Sequence, residues 1–459
     1  MGSSRRDFLR AMLLTSGAAA FGGVSMSTIG QLAAEPLDGG NPDFRRRFIF
    51  CYFSGGWDIL LSADPRDPAE FRADRVGTTQ VQLDYDRLPN QFSRGGTEGN
   101  GLYVDHDRGI TLGPAAGAIW RHRDAMCVVR GVSMATVTHE VGRRYFITGR
   151  VPTGLTARGS SIPTEIAAQL HGAGSPSNMP FVPNLAYSVE SYNDRHPSFA
   201  SGLKISSVDD LLSALRRPDL GYSDTEERLI ADYLHRPESF GLSSSKMTDA
   251  INRARRSEIQ AEAVLAAQLD RRINFPSGIN LNSPAAVGIL AVQAITQQIC
   301  TTVSLRLTSS LDTHFDDWAT DQPTRQAEGF EVIDNIIQSL KDSPYPDGTG
   351  RSWFDFTTIV AFSEFARTPL INARGGRDHH PVSACMLWGA GVPHGKVVGA
   401  STDFGVLAPT IDLRTGQPSP GGEILRPQDI LGTVMANAGL EASFLSRDVR
   451  YVPALEPNT

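Results

Sequence analysis

The chain has 459 residues, 40% of them hydrophobic and 20% charged, with 44 glycines and 28 prolines. That composition is ordinary for a globular protein and leaves ample length for a large buried core. A net charge of −7, with no dense Lys/Arg block beyond the N-terminus, gives no footing for a nucleic-acid partner.

At the N-terminus, Ser4-Arg5-Arg6-Asp7-Phe8-Leu9-Arg10 precedes a mildly apolar segment, residues 11–29, rich in Ala, Gly and Ser. The pattern resembles a twin-arginine export signal. It predicts a signal segment over 1–34, with cleavage near Ala33-Ala34, and a protein that folds before export to the periplasm or beyond. No cysteine follows to carry a lipid anchor, and no other stretch reaches 18 consecutive apolar residues. The mature chain is therefore expected to be soluble and to meet a membrane only during export. Cys51, Cys127 and Cys385 lie inside apolar runs and Cys300 near the end of a helical stretch, so buried thiols are expected rather than a disulfide scaffold.

Residues 48–53 form a continuous apolar run, short enough for a central strand. Ser54-Gly55-Gly56-Trp57-Asp58 follows, placing Asp58 just beyond the strand as a metal ligand or as a cap of the next element. Residues 64–110 read as irregular surface, with Asp105-His106-Asp107 a solvated turn. A second strand over 125–129 leads to Ser133, Thr136, Thr138, His139 and Glu140, just before a helix that includes 145–148. A hydroxyl there can cap the helix or act as a nucleophile beside free N–H groups. Gly/Ser/Pro-rich loops and helices at 208–216, 224–234, 246–273 and 286–300 predict a helical cap or insertion over about 150–300. His171, His196 and His235 lie in it without partners and read as structural or surface residues.

Residues 302–307 predict a third strand, followed by Asp312 and His314, whose spacing puts both on one face of extended backbone. After a helix over 327–341, the run 357–362 predicts a fourth strand, ending in Ser363, Glu364 and Arg367. A loop with Gly375, Gly376, Asp378, His379 and His380 precedes a fifth strand over 384–388, and a last helix covers 430–440. Five strand candidates each closely followed by Asp, Glu, His or hydroxyl residues predict one shared pocket beyond the carboxyl ends of a parallel sheet.

The ordered set GGWD, THE, LDTH, SEFARTP and GGRDHHP resembles the exported domain-of-unknown-function 1501 family, itself similar to the alkaline phosphatase/sulfatase superfamily. The resemblance spans residues 48–440. It implies an α/β fold: an α/β/α sandwich with a central, mostly parallel sheet, in one domain over 45–459. It also implies metal ligation by Asp58, Asp312, His314, Glu364, Asp378 and His379, with His380 a weaker candidate. Arg367 stands near where a phosphatase places a metal histidine. No sulfatase-type Cys-x-Pro-x-Arg is present, and the Asp-x-His spacing is shorter than the phosphatase pattern. The nucleophile stays open among Thr138, Ser133 and Thr136. Thr138, beside His139 and next to the helix start, is preferred, and Thr138, His139 and Arg367 form the expected catalytic set. One or two divalent ions are the implied cofactor, zinc first, with calcium, magnesium or manganese as alternatives. The expected function is hydrolysis of a phosphate or sulfate ester, small or polymer-linked; the alternative is an exported metal-binding or assembly protein without turnover.

Overall fold

The computed structural model describes residues 43–154, 156–172, 180, 182–208, 225, 273–308, 310–445 and 448–458. The predicted signal segment lies outside the described residues, as do His235 and the predicted helices at 208–216, 224–234 and 246–273 save for single residues. No helix among the described residues is long and apolar enough to cross a membrane.

The apolar run at 48–53 becomes β1 (Arg47–Phe53), buried throughout, as a strand covered on both faces must be. A small hairpin, β2 (Tyr103–Asp105) and β3 (Ile110–Leu112), stands apart from the main sheet. Then come β4 (Met126–Ser133), β5 (Asn184–Tyr187), β6 (Leu203–Ile205), β7 (Thr302–Thr308) and β8 (Thr357–Phe362). The two-residue strands β9 (Ala366–Arg367) and β10 (His379–His380) pair with each other, and β11 (Val382–Gly389) and β12 (Lys396–Gly399) complete the set.

Eight strands form one sheet in the order β12-β4-β11-β8-β1-β7-β5-β6. β1 pairs in parallel with β7 and β8, β5 with β6 and β7, and β12 with β4. Only β11 runs antiparallel, against both β4 and β8. The principal helices are α1 (His139–Thr148), α2 (Ile162–His171), α3 (Pro284–Thr296), α4 (Trp318–Asp342) and α5 (Pro427–Ala436). Alternation along β1 divides the core between them. Phe48, Phe50 and Tyr52 pack with Phe146, Ile166 and Ile430 of α1, α2 and α5, whereas Ile49, Cys51 and Phe53 pack with Leu290 and Ile333 of α3 and α4. This is the expected α/β/α sandwich. All four cysteines are buried free thiols.

Two expectations are corrected. The segment 150–300 is not only a helical cap, because β5 and β6 extend the sheet from within it. The fifth strand, β11, opposes its neighbours, so the residues after it, including His394, emerge at the other edge of the sheet. There His394 Nε2 lies 3.0 Å from the Gly389 carbonyl. It is the residues before β11, His379 and His380, that reach the carboxyl edge of the parallel strands.

The loops leaving β1 and β7 touch at that edge. Leu311 N donates to Ser54 O at 3.1 Å, and Gly55 has φ +113°, with a Cβ there only 2.5 Å from Leu311 N. Gly55→Ala combines a left-handed φ with a backbone clash, and is expected to lower stability by about 2–4 kcal/mol. Gly77→Ala, at a position with nothing within 4 Å, should stay within about 0.5 kcal/mol of the parent. Urea denaturation of both variants checks this.

Candidate metal centre

Four segments deliver side chains to the carboxyl edge: the β4–α1 junction with His139, the loop after β7 with Asp312 and His314, the end of β8 with Glu364, and β10 with His379. α1 lies directly against the end of β8, because Gly142 has no side chain. A Cβ on it would come within 2.2 Å of Glu364 O.

Asp312 Oδ1 is the point of convergence. His314 Nε2 lies 2.9 Å from it, His379 Nε2 3.1 Å and His139 Nε2 3.4 Å. His314 Nε2 and His379 Nε2 are 3.0 Å apart. His139, Asp312 and His379 each offer a ligand atom within 4.8 Å of the others. The rings of His139 and His379 meet edge-on and both lie tilted against buried Phe365, whose centroid lies 4.7 Å from His139 and 4.4 Å from His379.

The far nitrogen of each ring decides the chemistry of the near one. His139 Nδ1 lies 2.8 Å from Glu364 Oε1, His314 Nδ1 2.8 Å from Asp378 Oδ1, and His379 Nδ1 2.7 Å from the Val137 carbonyl. Each partner can only accept, so each Nδ1 carries the hydrogen and each Nε2 presents a lone pair. Three lone pairs and a carboxylate oxygen thus face one another, and His139 Nε2 is buried without a hydrogen-bond partner. Such a set repels itself until a cation, a proton or a metal ion, stands among the four atoms. In such a set, outer carboxylates and a carbonyl orient imidazoles that could hold a metal ion. His139, Asp312 and His379 could hold a divalent ion, and His314 Nε2 adjoins Asp312 and His379.

Burial works to raise the Asp312 carboxyl, but the hydrogen bond from Arg367 and its charge hold it well below the usual carboxylate range. Glu364 is likewise held low against its burial by His139. Burial pushes the His379 imidazole down, which keeps it neutral. His139 is raised, because its hydrogen bond to Glu364 and the nearby charges outweigh burial.

The structure redistributes the predicted roles. Asp312, His314 and His379, expected as metal ligands, lie together, and His139, expected as catalytic, lies with them. Glu364 and Asp378, expected as ligands, stand behind His139 and His314. Glu364 also accepts from Gly55 N at 2.9 Å. Arg367 is fully buried, so its guanidinium reaches no solvent-borne substrate; it donates to Asp312 Oδ1 at 2.7 Å and to the carbonyls of Gly55, Gly56 and Arg377. Asp58 is not in the cluster. It caps the turn Ile59–Leu61 through Leu60 N and pairs with Arg377, the capping role that its position after a strand also allowed. Thr138 is the exposed N-cap residue of α1 and makes no side-chain capping bond. His380, the second residue of β10, is buried, its Nδ1 3.3 Å from Val382 O. Sequence reasoning missed Phe365, Gln322 and Asn372. Gln322 Nε2 donates to Leu311 O at 2.6 Å and Gly56 O at 3.1 Å, tying the β1 and β7 loops, while Asn372 Nδ2 reaches Asp378 Oδ1 at 3.0 Å. Only the place of Phe365 within the SEFARTP motif signalled any of them.

The family described as "Protein of unknown function (DUF1501)" matches residues 45–412. The chain belongs to that family. No curated protein matches it. Among solved structures it is similar to a protein in the alkaline phosphatase superfamily from Vibrio parahaemolyticus, at 8% identity over 96% of this chain and 76% of that one, with a TM-score of 0.38. It is also similar to the PsFucS1 sulfatase from Pseudoalteromonas sp., at 10% identity over 99% and 78% of the two chains, TM-score 0.37. A phosphonate monoester hydrolase from Silicibacter pomeroyi matches at 12% identity over 90% and 77%, TM-score 0.31. At these scores the likeness says nothing about chemistry, which rests on the residues of this family member.

If Glu364 orients His139, Glu364→Gln should weaken affinity for zinc by about 10–100-fold without abolishing it. His379→Ala, which removes a donor atom, should lower bound metal far more. Competition against a chromogenic chelator measures both, and equal affinities for parent and Glu364→Gln would remove the orienting role.

Proposed function

We propose that this family member is an exported, metal-dependent hydrolase acting on a phosphate or sulfate ester. The observation that carries the reading is the convergence of three Nε2 lone pairs on Asp312, each imidazole locked from behind. His139, His314, His379 and Asp312 would hold the ion. Three imidazoles and one carboxylate favour zinc or a similar transition ion over calcium and magnesium, which prefer all-oxygen shells. When bound, such an ion supplies Lewis-acid polarisation of an ester oxygen.

This chain's own residues do the rest. Asp312 is 44% exposed in its side chain, so an ester can approach from solvent while Glu364 and Arg367 stay fixed beneath. Thr138 immediately precedes a ligand, and its hydroxyl is not spent on capping α1. That makes it the preferred nucleophile, over Ser133 and Thr136. Backbone N–H groups in the first turn of α1 are unpaired within the helix and suit a developing oxyanion.

A second reading, an exported metal-binding or assembly protein without turnover, is favoured by one observation. The guanidiniums of Arg367 and Arg377 are both buried and engaged by Asp312 and Asp58, so neither is presented to an anionic ester.

Metal-loaded protein should hydrolyse members of an aryl phosphate and aryl sulfate panel and lose that activity with a chelator. Thr138→Ala should reduce turnover to background with metal content unchanged, while Ser133→Ala keeps most of the rate. A wild type inactive across the panel would leave the second reading standing. For export, Arg5→Lys/Arg6→Lys should hold the protein in the cytoplasm, read by fractionation; normal periplasmic recovery would refute the twin-arginine route.

A further inference from the structure

Asp58, a predicted metal ligand, has its carboxylate wholly enclosed away from the cluster. Its Oδ1 accepts from Leu60 N at 3.0 Å, and its Oδ2 lies 2.8 Å from Trp318 Nε1 and 3.0 Å from Arg377 Nε. Arg377 is equally buried. Its Nη1 donates to Thr368 O at 2.8 Å, its Nη2 donates to the carbonyls of Gln82 and Leu83, and its guanidinium sits 4.5 Å from the Trp318 ring centroid. Every donor around Asp58 is therefore fixed by the fold.

Resting on the metal reading above, we propose that this chain binds a single divalent ion. Arg377 is a tethered cation that neutralises Asp58 where a second ion would otherwise be needed. A metal ion approaching Asp58 would have to displace the guanidinium and strand its charge in the interior, where an unpaired charge is strongly unfavourable. The next carboxylate along, Asp312, is already shared between Arg367 and the three imidazoles. Arg367 Nη1 in turn donates to Arg377 O at 3.2 Å. Carboxylates and guanidiniums thus run Asp58, Arg377, Arg367, Asp312 through the floor of the site, and only the Asp312 end opens to solvent. Among the described residues the ligand atoms of His139, Asp312 and His379 converge with His314 Nε2 against them, and Asp58 is not part of that cluster. Asp58 is thus a positioning residue: it holds Arg377, whose backbone carbonyl helps hold Arg367.

The test is metal stoichiometry of the full chain, stripped, reloaded separately with Zn²⁺ and Mn²⁺, dialysed and measured by inductively coupled plasma mass spectrometry. One ion per chain is expected. Asp58→Asn should still bind one ion, with a lower urea midpoint because Arg377 loses its counter-charge, whereas His379→Ala should fall well below one. If Asp58→Asn does not fold, Asp58→Leu/Arg377→Met, which replaces the pair with apolar groups, carries the same expectation of one ion. Two ions per chain in the wild type, falling to one on removal of the Asp58 carboxylate, would overturn the proposal. No bound ion in the wild type would overturn the metal reading itself.

Discussion

The side chain of Arg367 has no exposed surface, and a guanidinium in that position must find acceptors within the protein. It finds them on three other segments: the carbonyls of Gly55 and Gly56 after β1, Asp312 after β7, and the carbonyl of Arg377 ahead of β10. Those contacts define where the loops sit relative to one another. Asp312 owes its position to this anchor, and the three imidazoles meet at Asp312. Glu364, three residues earlier in the chain, performs the matching task for α1, because its Oε1 is shared by Gly55 N and His139 Nδ1. A buried acid and a buried base from one short motif therefore hold opposite sides of the centre. Losing either would leave its own partners unpaired, and a buried polar group left unmet costs about 1–3 kcal/mol, a charged one more.

Rigidity and exposure are divided accordingly. Glu364, Arg367, Phe365 and Gln322 are buried, whereas Asp312 and the imidazoles keep part of their surface open. Of the groups that orient, Glu364 and Arg367 lie in the packed interior, where rotamers are fixed by neighbours. Groups with unspent lone pairs lie at the edge, where an ion can arrive. The three imidazoles are oriented differently: His139 by a buried carboxylate, His379 by a main-chain carbonyl, and His314 by Asp378, which is half exposed. His314 is thus the least tightly held of the three.

Much of this was legible in the sequence, since short apolar runs ending in Asp, Glu or His identified β1, β4, β7 and β8 and the residues just beyond them. Which atom of which residue faces inward was not. Glu364 and His139 both come after strands, and nothing local distinguishes a ligand from the group that orients it. That depends on a hydrogen bond across 225 residues. Asp58 misled for the same reason, since its partner Arg377 is far along the chain and an Asp after a strand reads alike whether it meets an ion or a guanidinium. The direction of β11 was also hidden, because an apolar run carries no sign of its polarity in a sheet. Its reversal is what lets His379, which precedes the strand, share an edge with residues that come after the others. β5 and β6 were lost among the loops of 150–300 because runs of three or four residues are too short to show a period.

Because its ligands come from segments as far apart as His139 and His379, the centre exists only in the folded chain, and any ion it holds stabilises that fold by mass action. Before folding, the same side chains are dispersed and offer nothing comparable to the convergence on Asp312. A chain that crosses a membrane already folded can acquire its ion beforehand, in a compartment where metal supply is controlled. Export by the proposed twin-arginine route and a centre assembled from distant loops are therefore consistent with each other. The four buried thiols fit the same sequence of events, since Cys51, Cys127, Cys300 and Cys385 are enclosed by the core. Once the chain has folded they are shielded, and an oxidising compartment on the far side would not disturb them.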